Sequence, residues 1–160
     1  MQADGIIGSY AIGGAVAAAF YLEPTTTEDV DIFVALETAP GRLIVTLEPI
    51  YEYLKAKGCD VEGQYINVGG WPVQFLDVEG NPLVEEALKN AIEKDVDGIR
   101  ARVFTAEYLA AIALQLGRTK DKLRLSQFIE TKAIQDSLFS NLIERFKLQD
   151  NWQQFKRLTG

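Results

Sequence analysis

The sequence predicts a mixed α/β (α+β) fold: a sheet flanked by helices over residues 1–104, then a helical bundle over residues 105–160. Three observations carry that expectation. Short β-branched or aromatic runs alternate with helix-periodic stretches as far as Phe104. From Thr105 onward every stretch reads as helix. The run Val30 to Leu36, apolar and rich in β-branched and aromatic residues, has the composition of a central strand.

Ile6 to Ile12 is apolar and ends at Gly13-Gly14, which reads as an extended segment entering a turn. Gly8-Ser9 is a turn ahead of the short strand Tyr10 to Ile12. Ala15 to Tyr21 is a run of strong helix formers with two aromatics, a buried helix broken by Pro24 and Thr25-Thr26-Thr27. After the central strand, Pro40-Gly41 is a turn. Leu43, Leu47, Ile50, Tyr51 and Leu54 recur at helical spacing, and Gly58 closes that helix. Tyr65 to Val68 and Val73 to Val78 are strands joined through Gly69-Gly70, a hairpin. Asn81-Pro82 opens a helix with Asn at the cap and Pro first. It carries Leu83, Ala87, Leu88, Ala91 and Ile92 and ends near Asp97-Gly98. Ile99 to Phe104 is the last strand. Helices follow over 105–116, capped by Thr105, over 119–131 and 136–146, with a short one around Trp152.

A chain of 160 residues fits one domain, or one domain with a helical appendage. At 48% hydrophobic and 24% charged residues it has the material for a real core. Its net charge of −7 argues against a broad nonspecific nucleic-acid surface and leaves room only for a small basic site. Cys59 is the single cysteine, so no internal disulfide forms, which suits a reducing compartment. No basic-then-apolar leader opens the chain, and Ala11 to Leu22 is too short to cross a bilayer. The expected location is cytoplasmic, with no membrane partner. Histidine is absent, which removes the commonest zinc ligand and the usual base of serine and cysteine triads. Catalysis must therefore rest on carboxylates, amines or a metal held by oxygen.

The informative stretch is Tyr10 to Val34, YAIGGAVAAAFYLEPTTTEDVDIFV. Strand side chains alternate, so Asp29 and Asp31 project from one face. Two such carboxylates repel, and burying them unpaired is costly. A divalent cation, Mg²⁺ or Mn²⁺, relieves both penalties. Alone, the acid-x-acid pattern is equally a solvated strand end. Gly13-Gly14, one short helix upstream, adds a backbone that can approach a phosphate and the free N–H groups of a helix start. Phosphate beside a metal-holding acid pair is the arrangement of phosphoryl and nucleotidyl transfer. On their own, the glycines are equally explained by close helix–strand packing.

Gly13, Gly14, Asp29 and Asp31 together resemble the signature of the nucleotidyltransferase (polymerase-beta-like) superfold: a Gly-Gly or Gly-Ser turn, a short helix and an acid-x-acid strand. The resemblance implies a nucleotidyltransferase-like mixed sheet followed by the helical bundle, which closes one side of a cleft. It extends toward AbiEii-type toxins and uncharacterised relatives through Pro82 to Leu88, the stretch VFTAEYLAAIALQLGR, and Arg118, Lys120 and Asp121. In that family the Arg118–Asp121 segment faces the cleft, and Lys120 is a compact charge for the phosphates of an NTP. A solvated helix start explains Lys120 equally well. Two departures stand out. The neighbouring strand PVQFLDV carries Gln74 where a third carboxylate usually sits, with Asp77 three residues on and facing the other way. The stretch AAIALQL also lacks the lysine common in AbiEii-type toxins.

Among weaker candidates, a hydroxyl of Thr25 to Thr27 can serve a phosphate or merely a loop. Lys120, Lys122 and Arg124 form a basic cluster that reads as a solvated helix face. Cys59 lacks a histidine partner, and Trp71 and Trp152 read as packing residues. The resemblance implies an enzyme in which Asp29 and Asp31 hold the metal, Gly13, Gly14 and Lys120 bind the nucleotide, and Gln74 completes the catalytic row. The acceptor is an RNA, a protein or a small molecule, and an antitoxin-like protein partner follows if the chain is a toxin. The alternatives are a nucleotide-binding or regulatory module of the same fold with weak or no turnover, favoured by Gln74, and a structural partner protein that binds no nucleotide.

Overall fold

The computed structural model describes residues 1–36, 46–96 and 98–159. The turn expected at Pro40-Gly41 and the helical position of Leu43 lie outside them. Strand β1 (Tyr10–Ile12) leads into the short helix α1 (Gly14–Ala18), and the chain returns as β2 (Val30–Val34). Helix α2 (Glu48–Ala56) precedes a meander of β3 (Val61–Glu62), β4 (Tyr65–Val68) and β5 (Trp71–Asp77). Helix α3 (Pro82–Lys89) is followed by β6 (Ile92–Val96) and β7 (Ile99–Val103). Four helices complete the chain: α4 (Ala106–Leu116), α5 (Thr119–Glu130), α6 (Asp136–Arg145) and α7 (Gln149–Thr159).

All seven strands form one mixed sheet in the order β3-β4-β5-β2-β1-β7-β6, with the acid strand β2 in the middle. β2 runs antiparallel to β1 and parallel to β5. The pleat sorts side chains onto two cores. Val34, Ile66, Val73 and Phe75 pack with Ile50 and Leu54 of α2 on one face. The other face belongs to a larger core that takes in Ala17 of α1, Leu88 of α3 and Leu125 and Phe128 of α5. Phe104, fully buried at the junction, links sheet to helices, so one continuous core crosses residues 104 and 105. Helix α4 is buried on most of its surface, which accounts for its uninterrupted apolar sequence AEYLAAIALQL. No helix among the described residues is long and apolar enough to cross a membrane.

The Asn81 cap forms as expected: its side chain accepts from the Val84 N–H, with Pro82 opening α3. That helix, however, stops at Lys89 rather than near Asp97-Gly98. The Asn90 side chain donates to the Glu86 carbonyl at 2.9 Å, and Ile92 to Val96 becomes the edge strand β6, paired antiparallel with β7. Its five residues, Ile-Glu-Lys-Asp-Val, carry a charged run that is no strand signal by itself, and the pairing with β7 places them in the sheet. The two-residue β3 was also unmarked by any periodicity. Thr105 occupies the cap position of α4 by backbone conformation, but its hydroxyl makes no capping hydrogen bond.

Candidate functional site

Asp31 lies within β2 and Asp29 one residue before its start, and both side chains line one large cleft between the sheet and the C-terminal helices. The cleft has a volume of ≈1180 Å³. Parallel pairing sets Gln74 of β5 directly beside Asp31. Asp77 pairs with Val34, on the side of the pleat occupied by Val73 and Phe75. It borders the cleft where β5 ends, but its carboxylate accepts from the Glu79 N–H at 3.1 Å. The strand contains no bulge that would turn Asp77 toward Asp31: its register with β2 is continuous from Val73 to Asp77.

The glycine pair is required by the packing around this acid. The Gly13 N–H donates to the Asp31 carbonyl at 2.9 Å, and Gly14, at φ +58°, starts α1 against the Asp31 carboxylate. A Cβ on Gly14 would lie 3.0 Å from Asp31 Cγ and closer still to Oδ2. A Cβ on Gly13 would meet the Phe33 ring, 2.7 Å from Cδ2, and Phe104 at 3.3 Å. Gly13→Ala is therefore expected to lower stability by about 1–3 kcal/mol through overpacking. Gly14→Ala adds roughly 1–2 kcal/mol for a left-handed alanine and displaces the Asp31 carboxylate. Thermal melts check both. A Gly14→Ala variant as stable as wild type would mean that α1 does not begin against Asp31.

Opposite the acids stands α5. Lys120, Arg124 and Gln127 recur at helical spacing and line the cleft, as does Arg118 just before the helix. Lys122 instead borders a smaller hollow shared with α4 and α7. The Arg118 guanidinium is held by Asp121, Nε to Oδ2 at 2.6 Å and Nη2 to Oδ1 at 3.2 Å. Asp121 is 1% exposed, and its place in the first turn of α5 favours a negative charge. Its hydrogen bonds raise the Arg118 pKa. Burial, then the neighbouring Asp29 charge, pushes the Asp31 carboxyl above its ordinary value, while Lys120, Arg124 and Arg118 pull it back in part. Thr27 is used locally, its hydroxyl donating to the Asp29 carbonyl at 3.1 Å and reaching Oδ1 at 3.4 Å.

Neither Asp29 nor Asp31 forms an ion pair among the described residues. No group of three acidic, histidine or cysteine side chains converges there. The strands offer a cation two carboxylates and the Gln74 amide oxygen, with the Thr27 hydroxyl beside Asp29. All are hard oxygen ligands of the kind Mg²⁺ and Mn²⁺ take, and the open cleft leaves room for water to complete the shell. The repelling pair, both members half-buried, is the feature a bound cation would relieve.

Arg124 is the cleft residue that sequence reasoning undervalued. Lys120, Arg124 and Gln127 share a helix face by spacing, but nothing along the chain says which face is solvated. Trp71, read as packing, is 56% exposed on the β4–β5 hairpin, whereas Trp152 packs between Phe139 and Phe155.

No protein-family model matches the chain, and no curated protein matches its sequence. Solved structures do. An antigenic nucleotidyltransferase-like protein from Paracoccidioides brasiliensis superposes with a TM-score of 0.54 at 16% identity, over 92% of this chain and 84% of that one. The fold is nucleotidyltransferase-like. The solution structure of the antibiotic-resistance factor ANT(2'')-Ia agrees, with a TM-score of 0.53 at 11% identity over 99% of this chain and 92% of that one. The second match takes in nearly the whole chain, so the C-terminal helices as well as the sheet follow the nucleotidyltransferase-like architecture.

Proposed function

We propose that this chain is a metal-dependent nucleotidyltransferase that uses an NTP. The observation that carries the reading is the Asp31–Gln74 row on the sheet facing Lys120 and Arg124 of α5 across one cleft. Carboxylates on one wall and cations on the other suit a polyphosphate bound with a divalent cation. Asp29 and Asp31 would hold Mg²⁺ or Mn²⁺, which supplies neutralisation of charge on the phosphoryl oxygens. Lys120 and Arg124 would bind phosphate oxygens, and the Gly13-Gly14 backbone allows close approach beside them. The acceptor hydroxyl oxygen forms a bond to the α-phosphorus, the bond to pyrophosphate breaks, and the hydroxyl proton leaves. Gln74 can orient that hydroxyl but cannot take its proton, which passes to water or to pyrophosphate.

The acceptor class, RNA, protein or small molecule, stays with this reading, and the net charge of −7 weighs against a polyanionic RNA. Kinship with AbiEii-type toxins, and an antitoxin-like partner with it, rests on Pro82 to Leu88, the stretch VFTAEYLAAIALQLGR, and Arg118, Lys120 and Asp121. Gln74 supports a second reading, a nucleotide-binding module with slow or no transfer. Calorimetric titration of NTPs with and without Mg²⁺, followed by a search for labelled product, tests both. Mg²⁺-dependent binding with product is the expected result. Binding without product selects the module, and no binding by any NTP overturns both.

A further inference from the structure

The cleft changes character along its length. Near β2 it is charged. Beyond Gln74 aliphatic side chains join the lining, with Asp77 at its border: Leu76 lies two residues further on the same face of β5, roughly 6.6 Å along the strand. Leu109, Ile112 and Leu116 line it from one face of α4, and Leu116, 51% exposed, stands open to it. A cleft with carboxylates and cations at one end and aliphatic side chains beside two amides at the other suits the two halves of a nucleotide, polyphosphate and base.

At the apolar end two amides fix each other's orientation. The Val84 N–H can be accepted only by an oxygen, so the Asn81 oxygen is the atom turned to the start of α3. That leaves Asn81 Nδ2 as the atom facing Gln115, where it donates to Oε1 at 2.9 Å. The Gln115 amide cannot flip without opposing two N–H groups. Its Nε2 is therefore set as a donor, and no acceptor for it exists among the described residues. Both residues line the cleft and both are half-buried. An N-cap that would otherwise serve only α3 thus determines which hydrogen-bonding group the cleft presents.

We propose that the Asn81–Gln115 pair reads the base of the bound nucleotide, with Gln115 Nε2 donating to an exocyclic carbonyl oxygen. This rests on the nucleotide reading above and deepens it. Bases with a carbonyl at that edge complete the hydrogen bond. Bases with an amino group there oppose donor to donor and forfeit that hydrogen bond.

The test uses pairs that differ at this group and in the proton on the adjoining ring nitrogen: ITP against ATP, and UTP against CTP, titrated into the full chain with Mg²⁺. ITP and UTP are expected to bind about tenfold more tightly than their amino counterparts, a single hydrogen bond's worth of discrimination. Gln115→Glu, which keeps the acceptor for Asn81 Nδ2 but presents an oxygen to the cleft, is expected to abolish or invert the ratio. Equal affinities in wild type, or tighter ATP and CTP, overturn the base-reading role while leaving the nucleotide reading intact. A wild-type ratio that persists in Gln115→Glu overturns Gln115 as the reader. Failure of all four to bind sinks both readings together. The wild-type comparison needs no variant to fold.

Discussion

Asp31→Asn is expected to abolish Mg²⁺-dependent NTP binding while leaving the melting temperature at neutral pH unchanged or raised. Two physical effects act at this residue. Burial and the Asp29 charge disfavour the ionised Asp31 in the folded chain and raise its pKa, more than Lys120, Arg124 and Arg118 lower it. A carboxyl with a raised folded-state pKa holds its proton more tightly folded than unfolded. Its contribution to stability is therefore most favourable below the ordinary value of 3.8 and is lost as pH rises through the folded-state value. Above that window the wild type carries a constant penalty that asparagine does not. The gap between Asp31→Asn and wild type should accordingly shrink as pH falls through the folded-state value and close below pH 3.8. Ligand reverses the order: Mg²⁺ and NTP together should raise the wild-type melting temperature by mass action and leave the variant where it was. Melts with and without Mg²⁺ and NTP, paired with calorimetry, read both effects. An asparagine variant with wild-type nucleotide affinity would sink the assignment of Asp31 to the metal.

The contrast between a legible β2 and an illegible β6 shows what one-dimensional pattern can carry. β2 is marked by its run of β-branched and aromatic residues, and its acids point to a site because the glycine pair lies one short helix upstream. Gly13 and Gly14 were legible as a pair but ambiguous in purpose. The structure gives both a packing role, since Phe33 and the Asp31 carboxylate leave no space for a side chain there. β6 was hidden because Ala87, Leu88, Ala91 and Ile92 continue a helical stripe. Only the partner strand β7, through pairs such as Glu93 with Arg102, decides against it. The same limit applies within the cleft. Lys120 and Arg124 are evident as cations, yet their role depends on which side of α5 the core takes, and Leu125 and Phe128 settle that in three dimensions. The orientation of Gln115 is further removed still: it is fixed by a cap on a helix 34 residues away in sequence.

The largest gain is expected from Gln74→Asp. In the parallel register of β2 and β5, residue 74 is lateral to Asp31, so a carboxylate there joins Asp29 and Asp31 on one face. General-base assistance is typically worth about 10²- to 10⁴-fold, and transfer of label from NTP should rise by an amount in that range, or appear where wild type shows none. The substitution shortens the side chain by one methylene and adds a third like charge. Without metal it should lower the melting temperature, and Mg²⁺ should restore it, because the added repulsion is the penalty a cation removes. Asp77→Asn serves as the control. Its carboxylate accepts from the Glu79 N–H on the other side of the pleat, so its loss should leave transfer unchanged, with at most a small effect on the turn after β5. Both variants belong in one labelled-NTP assay with a panel of hydroxyl acceptors. Loss of activity in Asp77→Asn would mean that β5 rearranges on binding to bring Asp77 to the acids. A fully active wild type indifferent to both changes would mean that the proton leaves by a route that β5 does not supply, and that Gln74 is only a lining residue.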